Sequence, residues 1–172
     1  MRTFDYDGIA CPVDLTPPEV GDNAPDFTLL DVDFNDYTLA RCHGLRKVLL
    51  TVPSVDEAAP ADAVLGVSAL VDDPDVALLV ISRDTPVTLR RFLADRELMN
   101  VTALSAFRSE NFGASYGAMI TDGRYAALFA TCVFVIDEND TLVHEQFVEK
   151  LSQAPDYAAL AASLGLERAE AS

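Results

Sequence analysis

The chain has 172 residues, half of them hydrophobic, with 28 acidic residues against 12 lysines and arginines, which gives a formal net charge of −16. This length favours a single domain spanning residues 1–172 and is too short for a TIM barrel. The negative charge excludes nucleic acid and anionic membrane surfaces as partners, because both present phosphate groups. No apolar run is long enough to span a membrane, and residues 1–15 lack the apolar stretch of a signal peptide, so we expect a cytoplasmic protein.

The cysteines argue against a disulfide framework and against a metal site. There are three of them, Cys11, Cys42 and Cys132, at long spacings and without a CxxC motif. Only His43 and His144 could add further soft ligands, so we expect no metal and no cofactor. A disulfide between Cys11 and Cys42 stays open at this point.

Turn residues and apolar runs predict an ordered series of elements. Asp7 and Gly8 indicate a hairpin turn between two short strands within residues 3–15. Further strands are predicted at 26–31, 37–39, 47–52, 76–81, 101–104, 131–136 and 142–147. Helices are predicted at 61–71, 86–96, 110–116 and 156–164, with Gly165 ending the last one and residues 165–172 frayed.

The order of these elements predicts an α/β fold. Strand, helix, strand, helix and strand are followed by a hairpin and a final helix, which favours a parallel core extended by antiparallel strands. We therefore expect a thioredoxin-like fold, with a central mixed sheet flanked by helices and an N-terminal β-hairpin.

Four blocks of sequence point to one family. GDNAPDFTLLD at Gly21–Asp31 resembles the opening of peroxiredoxins, and VPSVD at Val52–Asp56 resembles the junction between their central strand and active-site loop. Residues Arg91–Gly117 and Val133–Ala162 are similar to the middle and the end of the thiol peroxidase branch. The chain thus resembles a full-length thiol peroxidase, an atypical two-cysteine peroxiredoxin.

This resemblance implies a mechanism. In the family, a peroxidatic thiolate in the first turn of the helix after the central strand attacks the peroxide O–O bond and becomes a sulfenic acid. A second cysteine of the same chain condenses with it to a disulfide, which thioredoxin reduces. A nearby arginine, a threonine hydroxyl and the helix N-terminus lower the thiol pKa. The resemblance also implies a homodimer.

The chemical positions of the family fall on other residue types in this chain. Pro53 matches the start of the PxxxTxxC motif, but its threonine falls on Glu57 and its peroxidatic cysteine on Pro60. The resolving cysteine of the RFC motif falls on Leu93, and the arginine falls on Thr131. The resemblance therefore implies a degenerate site, with thioredoxin as a partner only if redox activity survives.

The replacements at Glu57 and Pro60 have interpretations of their own. Ser54 and Glu57 have the spacing of a capping box, which predicts that Glu57 caps a helix. Alternatively, its carboxylate lies where the thiolate would be, against helix N–H groups, although the sequence offers no partner for acid–base catalysis. Pro60 suits the first position of a helix, because its missing N–H is not needed there.

Two cysteines are the alternative thiols for peroxide chemistry. Cys132 lies in the apolar run ALFATCVFVI and is expected to be a buried apolar side chain. Cys42, followed by His43 and flanked by Arg41 and Arg46, has the better environment for a lowered pKa.

Three hypotheses follow from these observations. The first, which we favour, is a non-catalytic thiol peroxidase homologue that acts by binding, as a homodimer or with another partner. The second is a peroxide reductase that uses Cys42 or Cys132 with an external thiol. The third is a small-molecule binding module that uses the vacated pocket around Pro53, Glu57 and Thr131.

Overall fold

A seven-stranded mixed sheet organises the chain in the computed structural model, which describes residues 2–14 and 16–166. Its strands run in the order β4-β3-β7-β6-β5-β8-β9. Their bounds are Thr28–Leu30 for β3, Asp36–Thr38 for β4, Arg46–Thr51 for β5, Val76–Ser82 for β6, Val101–Ser105 for β7, Cys132–Ile136 for β8 and Leu142–Phe147 for β9. The α/β fold class expected from the sequence is confirmed.

The three central strands are parallel because helices connect them. β5 pairs with β6, and β6 with β7, in parallel, while β8, β9, β3 and β4 add antiparallel strands at the two sides. The apolar runs that predicted β5 and β6 are buried almost throughout, as strands covered on both faces require. The carboxyl ends of the three parallel strands therefore meet at one edge of the sheet.

Four helices accompany the sheet among the described residues. They are Ala58–Leu70 for α1, Pro86–Asp95 for α2, Phe112–Ser115 for α3 and Tyr157–Leu164 for α4. Helix α1 begins three residues before the predicted start at 61, and α3 is shorter than the predicted 110–116. The predicted strand at 37–39 ends at Thr38, because Leu39–Cys42 forms a turn of 3-10 helix instead. No helix in the described ranges has the length and apolar character needed to cross a membrane.

The predicted N-terminal hairpin is present as a separate two-stranded sheet. Strands β1 (Arg2–Tyr6) and β2 (Ile9–Val13) pair antiparallel around Asp7 and Gly8, both of which have positive φ angles. Glycine and aspartate tolerate this conformation, which is why the dipeptide predicted the turn. The hairpin packs its buried side chains onto one face of the large sheet.

The last helix ends where the sequence predicted. Gly165 is in the left-handed region with φ 71°, and the N–H of Leu166 donates to the carbonyl of Ala161. Leu166 also packs against the core, so the predicted fraying does not begin at 165. The rest of the predicted frayed segment, residues 167–172, lies outside the described residues.

Candidate functional site

The loop Pro53–Glu57 joins the central strand β5 to helix α1 at the carboxyl edge of the sheet. Pro53 and Val55 are buried, while Asp56 is exposed. The loop closes as a turn in which the Glu57 N–H donates to the Ser54 carbonyl at 3.4 Å. The Glu57 carbonyl then accepts the first helical hydrogen bond, from the Ala61 N–H at 3.0 Å, which makes Glu57 the N-cap residue.

The carboxylate of Asp84 holds this loop in place. It accepts hydrogen bonds from the Ser54 hydroxyl at 2.8 Å, the Val55 N–H at 2.9 Å and the Ser82 hydroxyl at 2.7 Å. Hydrogen bonds to a charged acceptor are about twice as strong as neutral ones, so this residue fixes the loop to the end of β6. Asp84 was not among the candidates predicted from the sequence. Its place directly after a buried parallel strand was the available signal.

The Glu57 side chain points to the N-terminal hairpin and does not cap the helix. The hydroxyl of Tyr6 donates to Glu57 Oε1 at 2.7 Å, and Glu57 makes no side-chain capping bond. The Ser54 hydroxyl is likewise engaged elsewhere, on Asp84. The capping box predicted from the Ser54–Glu57 spacing is therefore wrong.

Tyr6 itself is held between Glu57 and another aromatic ring. Its ring stacks on that of Tyr125, with centroids 3.7 Å apart and planes 8° from parallel. Burial, and after it the hydrogen bond that Tyr6 donates to Glu57, raises the pKa of Tyr6 well above its usual value. Tyr6 and Tyr125 were not candidates at the sequence level, because nothing in the sequence relates these positions to residue 57.

Pro60 lies in the first turn of α1, at its third residue, and is buried. The prediction of the first helical position for Pro60 is therefore wrong by two residues. The physical argument survives this shift, because the N–H groups of the whole first turn have no partner within the helix. The first turn of α1 thus contains no side chain able to react with a peroxide.

Thr131 lies directly before β8 and is buried. It is 2% exposed, and its carbonyl accepts the N–H of Val148 at 2.9 Å. Beside it, the Thr51 hydroxyl donates to the Ala130 carbonyl at 2.8 Å and accepts from the Cys132 N–H at 3.1 Å. Within residues 2–14 and 16–166, the ion pair made to the Pro53–Glu57 loop is that of Arg91 with the exposed Asp56, at 3.8 Å.

Leu93 lies on α2 as an ordinary apolar contact. It is partly buried and packs against the core cluster that covers the α1 face of the sheet. The four replaced positions therefore consist of a helix-turn proline, a carboxylate held by Tyr6, a half-buried leucine and a buried threonine.

The three cysteines, two of which are the candidate alternative thiols, are all buried and are not paired with one another. Cys11, Cys42 and Cys132 are free cysteines, so Cys11 and Cys42 do not form a disulfide in this structure. Burial raises the pKa of Cys132 to about 12. Cys42 is 2% exposed, and its sulfur lies 3.1 Å from the hydroxyl of Tyr37.

Two of the three residues of the suggested binding pocket are withdrawn from solvent. Pro53 and Thr131 are buried, and Glu57 faces Tyr6. An open concavity of about 490 Å³ lies elsewhere, between β3 and α3. It is lined by Asp26, Phe27, Thr28, Arg108, Ser109, Glu110, Asn111, Phe112 and Ser115.

The architecture is that of the thioredoxin-like fold in its peroxiredoxin form. A solved thiol peroxidase from Chromobacterium violaceum superposes with a TM-score of 0.90 at 24% identity, covering 98% of both chains. A peroxiredoxin-like protein from Aquifex aeolicus gives a TM-score of 0.86 at 25% identity over 96% of this chain and 98% of that one.

The sequence comparisons define the family. The Redoxin family model matches residues 19–161, and the chain belongs to this family. A thiol peroxidase from Staphylococcus aureus is 37% identical over 143 residues, covering 83% of this chain and 85% of the relative. One from Vibrio cholerae is 33% identical over 148 residues, covering 86% and 90%. The chain is thus a thiol peroxidase-like member of the peroxiredoxin superfamily.

Proposed function

We propose that this chain is a thiol peroxidase homologue that has kept the scaffold and lost the peroxide chemistry, and that it acts in the cytoplasm by binding. The observation that carries the proposal is the first turn of α1, where the family motif aligns its peroxidatic cysteine with Pro60. Only a thiolate attacks peroxides at useful rates, and proline has no reactive side chain.

The surroundings of that turn support the same conclusion. The Glu57 carboxylate, at the position of the family threonine, already accepts the Tyr6 hydroxyl. Thr131, at the position of the family arginine, is buried and carries no charge. A site without a thiolate needs no cation to stabilise it, so the replacements are consistent with one another.

Burial weakens the hypothesis of a migrated nucleophile. Cys132 is fully buried, and its pKa of about 12 leaves almost no thiolate at neutral pH. Cys42 is also buried, so a peroxide cannot reach its sulfur without local opening. A homodimer, as the resemblance implies, is the first binding arrangement to test, by sedimentation velocity over a range of protein concentrations.

The deciding experiment measures consumption of hydrogen peroxide and of an organic hydroperoxide in a thioredoxin-coupled assay. The intact protein mass is recorded before and after exposure. We expect no turnover, and no gain of oxygen or loss of two hydrogens. Turnover that disappears in C42S or C132S, but not in C11S, would overturn the proposal and identify the thiol responsible.

A further inference from the structure

The tyrosines of this chain differ in what their hydroxyl groups contact. Tyr6 donates to a carboxylate oxygen, Glu57 Oε1, at 2.7 Å. Tyr116, which is also buried, donates to the main-chain carbonyl of Pro25 at 2.6 Å. A carboxylate can take the phenol proton, whereas an amide carbonyl can only accept a hydrogen bond. Of these two buried tyrosines, Tyr6 alone therefore has a proton acceptor in place.

The ring of Tyr6 is also connected to the surface. Tyr6 is 4% exposed, but it lies flat against the partly exposed ring of Tyr125, at 3.7 Å between centroids. Two overlapping π systems at this separation are in direct electronic contact. An oxidant in solvent can thus draw an electron from Tyr6 through Tyr125 without entering the protein.

The acid–base properties of the pair favour coupled loss of the proton and the electron. Burial raises the pKa of the Tyr6 phenol, so it does not ionise by itself near neutral pH. A phenol that has lost an electron becomes a strong acid and releases its proton to any base within hydrogen-bond reach. Glu57 is such a base, at the distance that direct proton transfer requires.

We propose that Tyr6 is a one-electron redox centre, with Glu57 as its proton acceptor and Tyr125 as the contact to solvent. The oxidant belongs to the class of organic peroxyl radicals. One electron leaves the Tyr6 ring and passes through the Tyr125 ring to the oxidant, while the phenol proton moves to Glu57 Oε1. The products are a neutral Tyr6 phenoxyl radical, a protonated Glu57 and a hydroperoxide anion. This activity uses no cysteine, so it does not depend on whether the thiol chemistry is lost.

The test oxidises the full chain with hexachloroiridate(IV), a one-electron oxidant, and records the radical by rapid freeze-quench EPR. Protein made with ring-deuterated tyrosine separates a tyrosyl signal from a cysteine thiyl signal. The variants are Y6F and E57Q, with Y116F as the matched buried control, and the thermal stability of each is measured first. Glutamine at 57 keeps an oxygen that accepts the Tyr6 hydrogen bond but cannot take its proton, so a purely structural role would survive E57Q.

We expect a tyrosyl signal in the wild type and in Y116F, and none in Y6F. In E57Q its rate of formation should fall by about a hundredfold, the lower end of what a positioned proton acceptor contributes. Y125F should slow formation while leaving the signal on Tyr6. Equal rates in wild type and E57Q would overturn the proposal, as would a signal that persists in Y6F. E57Q alone decides the question if Y6F does not fold.

Discussion

The two ends of strand β5 differ in charge: a buried cation lies near its start and a buried neutral side chain at its end. At its start, the side chain of Lys47 is fully buried, and its ammonium group donates to the carboxylate of Asp140 and, at 3.3 Å, to the carbonyl of Asp137. At its end, Thr51 is equally buried but neutral, and it bridges the Ala130 carbonyl and the Cys132 N–H.

The difference teaches that, among the described residues, the fully buried cation Lys47 is faced by an anion, whereas the other end of the strand carries a neutral side chain. Removing a charge from water costs several kcal/mol, and a counter-charge with good hydrogen bonds is needed to offset that loss. Asp140 supplies it at the Lys47 end. At the other end, Thr131, where the resemblance would place the family arginine, is buried, and the first turn of α1 carries Pro60 where the resemblance would place the thiolate. A neutral side chain is the stable choice there.

The largest loss of stability is expected when a cation is introduced at Thr131, near the end of β5. Thr131 is 2% exposed, so T131R buries a guanidinium without a carboxylate and overpacks the site. We expect a loss of about 4 kcal/mol in the free energy of unfolding, measured by urea denaturation. The isosteric T131V is the control and should cost about 1 kcal/mol or less. Wild-type stability in T131R would mean that an anion faces this position after all.

The second prediction removes the anion that faces Lys47 at the start of β5. D140N preserves the shape of the side chain, and asparagine tolerates the positive φ of 63° at this position. It leaves the Lys47 ammonium buried without a counter-charge, and we expect a loss of about 3 kcal/mol in unfolding free energy. The double variant K47M/D140N tests the cause, because it removes both charges and should be more stable than D140N alone. If the double variant is the less stable of the two, the ammonium is not the source of the loss.

The sequence predicted strand β5 correctly, but it did not predict the buried ion pair at the start of that strand. KVLLTV indicated a buried strand because five of its side chains are apolar or β-branched, and β5 is buried there. It gave no sign that Lys47 would be buried too, since its partner Asp140 is supplied by the turn that follows β8. Pairing of this kind arises from tertiary structure and has no local pattern.

At the candidate site, too, the sequence predicted where residues lie along the chain better than which partners their side chains contact. Motif spacing predicted a loop for Pro53, the start of a helix for Pro60 and a helix for Leu93, and the structure differs in having Pro60 at the third residue of α1 and not at the first. The capping box failed because Ser54 and Glu57 found stronger partners in distant segments, Asp84 and Tyr6. Local spacing describes what a side chain can do near its own backbone, and a charge-assisted or buried bond to another segment overrides it.

A smaller effect is expected from removing the bridge at the neutral end. T51V keeps the volume of the side chain but leaves the Ala130 carbonyl and the Cys132 N–H without their buried hydroxyl partner. We expect a loss of about 1–3 kcal/mol in unfolding free energy, which is the desolvation cost of unsatisfied buried groups. T51S retains the hydroxyl and is the matched control. If T51V and T51S are equally stable, the bridge contributes nothing and the neutral end is held by packing alone.

The smallest effect concerns a titratable group two strands away from β5. His144, on β9, accepts a hydrogen bond from the Gln146 amide on Nε2, at 3.0 Å, while the same amide group also donates to the carbonyl of Asp156. This arrangement requires a neutral ring, and burial lowers the pKa of His144, with Asp156 and Glu145 partly opposing the shift. The folded state therefore binds this proton less readily than the unfolded state does.

The sign of the pH dependence follows from that difference. As the pH falls through about 6.5, the unfolded chain takes up the proton first, so the folded state loses stability until the pH passes below its own, lower pKa. The quantity to measure is the difference in unfolding free energy between wild type and H144Q from pH 8 to pH 5, in which the other titrating groups cancel. Wild type should lose stability relative to H144Q on acidification. If wild type instead gains stability relative to H144Q on acidification, Asp156 and Glu145 outweigh burial. His144 would then be a cation stabilised by neighbouring carboxylates, as Lys47 is by Asp140.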